Sequence, residues 1–499
     1  MAQKLFLLLF CWLVSGVGLL AQPSQPARLE INASPATTRM QVLPLPDSSV
    51  IVFQQSSPFF SRKEKHELVK YNGNLQPIWN LPLDLPPGTS YYTFFADRHR
   101  VYLLFLTRRS TEFKIMVLNT NSATYTLSDY VAPAPVTIQQ FKVLGDVAFI
   151  TVLEDKEFVR LLHLNLHQKE GVYLPALYEK ATALSDFRVD TTTMRAEVVL
   201  SHSFGKKSRL QIKRFAPTGE LLSSTFLFDR SQNNLTDARL LPGDSLHKRI
   251  AGIYATRDLR YGQGLFTAQL PVSTEASINY FPFTTFSHFF DYMPPRRQQR
   301  VLRKVERQKN TERGYLLRKY MLLHPLLPGK NGYVVLAESV TPQYRSNSFS
   351  GNFRNSLPMR EFEGFRHLHV VVSGFDSTGN MRWQNSYPLK NLLTEEAETT
   401  VEAGMAGDTV VLAYLHHEQV QYKIINKNQE TDNNLQEPIR PANPSDKIMA
   451  TEYEAMQHWY GANFLVYGYQ RVRSLSGETR QVFFINKFSF GSTNSAENP

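Results

Sequence analysis

Few residues in this chain have the chemistry to make a site, and they are scattered. His367 and His369 flank Leu368 in a run that alternates like a strand, so both side chains are expected on one face. Two histidines at that spacing could serve a metal. The same pattern fits the outward polar face of a half-exposed strand; that reading is preferred, and no metal site is assigned. His416-His417-Glu418 falls at a strand end, where neighbouring side chains diverge, and reads as a turn. His163 and His167 could share a face, but Lys169 and Glu170 mark plain surface. Asp376 and Asp408 lie near turns and fit ordinary turn chemistry. Two carboxylates meeting across a central pocket could cleave a glycosidic bond, but spacing alone pairs none. The chain has no G-x-S-x-G elbow, P-loop, dinucleotide fingerprint, H-E-x-x-H or EF-hand loop. No cofactor is implied, and an enzymatic role is the weaker reading.

The densest chemistry is electrostatic. Between Arg296 and Lys319 ten Lys or Arg stand against two Glu, so eight of the eleven net positive charges fall in 24 residues. Pro294-Pro295 suits a helix start and His324-Pro325 a stop. Up to Tyr320 only Gly314 weakens a helical reading. Val301, Leu302 and Val305 form a narrow apolar stripe that can rest on a scaffold. Arg296, Arg297, Arg300, Arg303, Lys304, Arg307 and Lys309 then face water. Such an arm suits an acidic protein, an anionic glycan or anionic envelope lipid; its bland counterpart is a helix kept soluble by charge. The stretch from Ser339 to His367 reads as a long loop exposing Tyr344, Phe349 and Phe353.

The ends point to export. Residues 1–21 have Lys4, an apolar core from Leu5 to Leu20, and then Ala21, the layout of a signal peptide. The core is shorter than the roughly 20 apolar residues of a spanning helix, and no later run reaches that length. Cys11 is the only cysteine; Phe10 before it argues against lipidation. Removing the leader leaves no disulfide, thiolate metal site or cysteine nucleophile, which suits the periplasm, the outer-membrane periphery or the extracellular space of a bacterium. Nucleic acid is not an expected partner for an exported chain. Residues 492–499 read as a disordered tail.

These residues must be positioned by a repeat. Tyr71-Asn72-Gly73-Asn74-Leu75, Phe215-Ala216-Pro217-Thr218-Gly219-Glu220-Leu221 and Phe375-Asp376-Ser377-Thr378-Gly379-Asn380-Met381 each join an apolar strand to a second one through a glycine turn. A further strand pair precedes such hairpins at 40–53, 91–106, 141–153 and 186–200. Four-stranded units of about 45–50 residues describe a β-propeller. The fold class is therefore all-β, with seven or eight four-stranded blades over 22–491 and one basic helical insertion at about 286–330. Two β-sandwich-type domains are the alternative. The last unit has three clear strands, and Ala27–Ser34 can supply its fourth.

Asn331–Ser346, NGYVVLAESVTPQYRS, resembles a segment of uncharacterised secreted proteins of Bacteroidetes-type bacteria, in which a basic helical insertion precedes a strand reading G-Y/F-x-x-V/L-A-E. That resemblance implies a secreted, propeller-like protein and brings no activity, substrate or catalytic residue. The function expected is that of a binding or scaffold protein with the basic insertion as its contact surface. A propeller hydrolase or lyase acting on polysaccharide is the alternative.

Overall fold

A computed structural model describes residues 23–491 apart from 58–63, 110, 135–136, 155–157, 169–170, 175–181, 230–232, 242–247, 271–277, 310, 312–313, 348–358, 430 and 434. The expected signal peptide with Cys11, the tail 492–499, Lys169, Glu170, Phe349 and Phe353 lie outside the described residues.

The second strand of each unit explains the architecture. Val50-Ile51-Val52-Phe53 has four consecutive buried side chains, which a sheet with one wet face does not allow. Alternate residues serve opposite faces. Val50 and Val52 pack towards Leu465, Phe483 and Ile485, whereas Ile51 and Phe53 pack towards Leu103, Phe105 and Met116. The rule repeats one sheet further on: Val101, Leu103 and Phe105 turn back, and Tyr102 and Leu104 turn forward to Ile138 and Ile150. Eight apolar clusters fill eight seams in this way.

The result is an eight-bladed β-propeller. Blade one orders Thr38–Pro44, Val50–Ser56, Lys65–Tyr71 and Pro77–Leu83 antiparallel. The next six blades occupy 90–131, 137–173, 182–227, 234–282, 320–388 and 402–438. Blade eight has three strands of its own, Lys447–Tyr460, Asn463–Arg473 and Thr479–Ser489, and its fourth is Ser24–Asn32 from the far end of the chain. Ala27 to Asn32 stand opposite Lys487 to Val482 in unbroken register. First strands of neighbouring blades touch, so they lie innermost. Because successive strands reverse direction, second-to-third-strand turns and blade-to-blade connections emerge at one end of the ring. The other turns emerge at the opposite end.

The three glycine turns share one backbone pattern, with a shift in one of them. Gly219 and Gly379, at φ 86° and 85°, each donate to a carbonyl three residues back, those of Ala216 and Asp376. In the first turn Leu75, at φ 58°, donates to Asn72, so Leu75 and not Gly73 holds the equivalent place. Asn72 Oδ1, which accepts from Asn74 N and Gln76 N, supports that turn from within.

Two segments differ from expectation. Helix α1 covers Pro295–Gln308 and stops well before Tyr320. Single turns follow, with Thr311 N bonded to Gln308 O and Gly314 N to Thr311 O, and Gly314 is left-handed at φ 56°. Blade six resumes at Tyr320–Leu323, inside the stretch expected as insertion to about residue 330, because that apolar stretch pairs with Ala337–Val340 and Pro325 interrupts it. Of the stretch read as a long loop, the described residues belong to a ribbon of Gly332–Asn347 paired with Met359–Asp376, and 348–358 lie outside the described residues. Bulges beside Ser339 and Gln343 absorb its turn-like residues.

Ring closure has a direct test. Limited trypsin digestion within α1 is expected to give two fragments that elute together under native conditions and part only in denaturant. Native separation would show that the seams and the Ser24–Asn32 strand do not close the ring.

Candidate functional site

The insertion enters the seam between blades five and six as an aromatic plug. Phe283, Phe286, Phe289 and Phe290 are buried there with Leu317. Phe283 stacks on Phe289 with centroids 5.0 Å apart, and Phe290 meets Phe289 edge-on at 5.0 Å. Pro295 takes the first helical position, where its missing N–H costs nothing. Val301 and Val305, four residues apart, pack on the cluster. Leu302, expected in the same stripe, is exposed.

The seven expected cations stand on the outside. Arg296, Arg297, Arg300, Arg303, Lys304, Arg307 and Lys309 are all exposed. Lys309 Nζ lies 3.9 Å from Glu306 Oε1, and Arg303 Nε donates to Gln299 O at 3.3 Å. Among the described residues, none of the six cations from Arg296 to Arg307 has a carboxylate within 4.0 Å. Arg296 and Arg300, Arg300 and Lys304, and Arg303 and Arg307 are like-charge pairs at i,i+4, each costing the helix about 0.2–0.5 kcal/mol. Arg296 and Arg297 also sit at the positive end of the helix dipole. The stripe from Arg296 to Arg307 is about 16 Å long.

On the other face of blade six lies a buried polar centre that the sequence pattern did not single out. Glu338, which ends the G-Y-V-V-L-A-E run, is fully buried on the face of blade six towards blade seven. Its carboxylate bonds His324 Nε2 at 3.1 Å and His367 Nδ1, and accepts Thr400 Oγ1 at 2.7 Å and Thr400 N at 3.1 Å. His367 Nε2 is 2.9 Å from Thr394 Oγ1. Burial alone raises the Glu338 carboxyl, but the hydrogen bonds and charges of His324 and His367 hold it far below the usual carboxylate range. A lone Glu inside an apolar strand was the available signal, since a charge there must find partners.

The two central histidines are neither paired nor exposed. A bulge puts His369 opposite Ser339 and His367 opposite Val340, leaving Leu368 as the extra residue. One extra residue inverts the alternation, so His367 faces Glu338 and His369 faces blade five. His369 stacks on Tyr292 at 4.4 Å and meets Phe289 edge-on at 4.9 Å. Neither ring nitrogen has a hydrogen-bond partner among the described residues. Burial, with the charge of Lys319, pushes His369 down to about 3.

The other candidates are accounted for by local structure. His417 and Glu418 have φ of 50° and 60° and form the expected turn. His167 is exposed near Asp146, whereas His163 is half-buried with Nε2 2.8 Å from Pro217 O. Asp376 Oδ1 accepts Thr378 Oγ1 at 2.6 Å and Thr378 N and Asn380 N at 2.9 Å, and Oδ2 pairs with Arg382 at 2.7 Å. The Thr378 bond leads these effects in holding the Asp376 carboxyl at about 2. Asp408 follows Gly407, which turns at φ 60°. Asp376 and Asp408 both line a cleft of about 710 Å³ between blades six and seven. Glu402, at the innermost strand of blade seven, is raised by burial and accepts His458 N at 2.9 Å. Among the described residues no group of three or more His, Cys, Asp or Glu is arranged to hold a metal ion, and no helix is long and apolar enough to cross a membrane.

No protein-family model and no curated protein matches the sequence. Solved structures resemble it remotely. A prolyl endopeptidase aligns at 10% identity and TM-score 0.41 over 87% of this chain, which spans about half, 53%, of that enzyme. The polysaccharide lyase Uly1 aligns at 8% identity and TM-score 0.40, over 93% of this chain and 99% of that one. The β-propeller domain of the Trilobed protease from Pyrococcus furiosus aligns at 8% identity and TM-score 0.34, over 79% of this chain and 100% of that one. Likeness this remote assigns no activity.

The buried groups yield two predictions for stability against pH. Glu338 is depressed from 4.5, so its contribution is complete above about pH 4.5 and is lost as pH falls below it. Glu338→Gln should cost about 3 kcal/mol at neutral pH and flatten the acid limb below 4.5 in denaturant titrations. His369 is depressed from 6.5 to about 3, so its contribution is complete above pH 6.5 and declines from there towards 3. His369→Leu should therefore flatten the curve between pH 6.5 and 4.5 in the same titrations.

Proposed function

We propose that this is an exported binding protein whose propeller displays α1 to an anionic polymer at the periplasm, the outer-membrane periphery or outside the cell. The observation that carries this reading is the unneutralised stripe on α1. Six cations on a 14-residue helix face water with no carboxylate within reach among the described residues. They repel one another, and two stand against the helix dipole, so the fold gains nothing from them. A polyanion laid along the stripe would relieve that repulsion and release counterions.

The occupant favoured is an anionic polysaccharide, whose regularly spaced charges match a stripe of this length; an acidic protein or anionic envelope lipid has the same charge chemistry. A hydrolase or lyase reading has less support. For a glycoside hydrolase two carboxylates must face one substrate, and Glu338 is sealed while Asp376 is consumed by its own turn; for a lyase the described residues bring no base and counter-charge together that carries the reading further.

Replacing Arg296, Arg297, Arg300, Arg303 and Arg307 with Gln tests the proposal. Affinity for dextran sulfate at low salt should fall at least about 10-fold, with a shallower salt dependence, while the melting temperature holds or rises. Unchanged retention on dextran sulfate and on phosphatidylglycerol vesicles would overturn it.

A further inference from the structure

A second cationic concavity lies at the opposite end of the ring. It is a cleft of about 750 Å³ lined by blades two, three and four, in the size range of small-ligand sites. Phe95 supplies an apolar wall backed by the buried Tyr102 and Phe187, and Arg98, Arg100, Lys142 and Arg188 bring four basic side chains to the cleft. Lys142 and Arg188 reach it from the innermost strands of blades three and four. Arg98 stands on an exposed turn at the rim.

The carboxylates at the cleft are already engaged. Asp97 Oδ1 accepts His99 N at 2.8 Å and Arg100 N at 2.7 Å, and its Oδ2 accepts Tyr102 OH at 3.3 Å. Asp146 pairs with Arg100 at 3.2 Å and lies 3.6 Å from His167. Asp186, behind the wall, accepts Leu240 N at 2.8 Å and is raised by burial. Among the described residues, Arg98, Lys142 and Arg188 have no carboxylate within 4.0 Å. Lys142 Nζ sits 5.6 Å over the Phe95 ring. Burial lowers its affinity for a proton, Asp186 restores part of it, and Arg188 lowers it again. The half-buried Lys142 ammonium thus has a second cation beside it and Asp186 acting from beyond 4.0 Å, while Arg188 Nη1 donates to Leu240 O.

We propose that this cleft binds a small organic oxyanion, a carboxylate or phosphate ester carried on a flat ring. The oxyanion sits between Lys142, Arg188 and Arg98, and the ring lies against the half-buried Phe95, which the buried Tyr102 ring backs with centroids 6.2 Å apart. The site is independent of α1, because the connection carrying α1 leaves the other end of the ring.

Calorimetric titration of the full-length protein with phenyl phosphate, benzoate, inorganic phosphate and benzamide tests this. Both ring anions should bind, phenyl phosphate more tightly than inorganic phosphate, and benzamide should not bind. Lys142→Met should weaken phenyl phosphate at least about 10-fold. Arg98→Gln, on the exposed turn, should weaken it about 3-fold, and the five-arginine α1 variant should bind it like the parent. A readout that needs no variant is acylation of the Lys142 amine, mapped by peptide mass. Its half-rate should come at lower pH than for a free lysine amine in a model peptide and move up when phenyl phosphate is present. No binding at millimolar phenyl phosphate, equal binding of inorganic phosphate, or a Lys142 profile unmoved by ligand would each overturn the proposal.

Discussion

The structure depends on burying the second strand of every blade on both faces. A four-stranded sheet of this size cannot shield its own apolar surface, so it must be sandwiched between two others. Each buried Val, Leu, Ile or Phe contributes about 1.5–3 kcal/mol. Splitting odd and even residues between two seams commits every blade to two neighbours. A linear array would leave two outer faces bare. The ring removes them, and the pairing of Ser24–Asn32 with Thr479–Ser489 ties both termini into one blade. Closure rests on side-chain packing and strand pairing, with no cysteine among residues 23–491 to cross-link it.

The seam between blades five and six departs from this economy. It holds four phenylalanines from the connecting segment besides the side chains of the two sheets. That plug ties α1 down through Val301 and Val305, leaving the helix's long charged residues free to point outward. The division of labour is physical: apolar contacts at i and i+4 fix the helix, and the charges oppose it. Charge of one sign is therefore displayed at the α1 end and also concentrated at the opposite mouth, where Lys142 and Arg188 approach the cleft from separate strands.

Bulges are the second recurring device. The one at Leu368 turns two histidines of one strand to opposite faces, one into a satisfied network with Glu338 and the other into an aromatic pocket. At Gly364 the ribbon runs so close to Thr394 that an added Cβ would lie 2.3 Å from its carbonyl oxygen, and φ is 139°. The short strand Leu393–Thr394 pairs there, beside the Thr394 hydroxyl that meets His367.

Local sequence was enough for the repeat, because strand alternation and hairpin turns are encoded within a few residues of one another. It showed the four-stranded unit, the fourth strand supplied from the far end, and the exposed charge of α1, since a basic helix with two apolar contacts has few places to go. Other features were decided by distant contacts. The count of eight needs all the seams. Leu75 stands where Gly73 was expected because a turn is set by its hydrogen bonds and not by its glycine. Tyr320–Leu323 became a strand because Ala337–Val340 pairs with it. His367 and His369 diverged because alternation reads correctly only until an extra residue enters, and a bulge is visible only against its partner strand. The Glu338 network draws on blade six and the connection that leaves it, and the Lys142 cleft on three blades, so a local pattern could flag the lone Glu in its apolar strand but not name its partners. Convergence of residues far apart in the chain is a property of the closed ring, and the ring exists only in the tertiary structure.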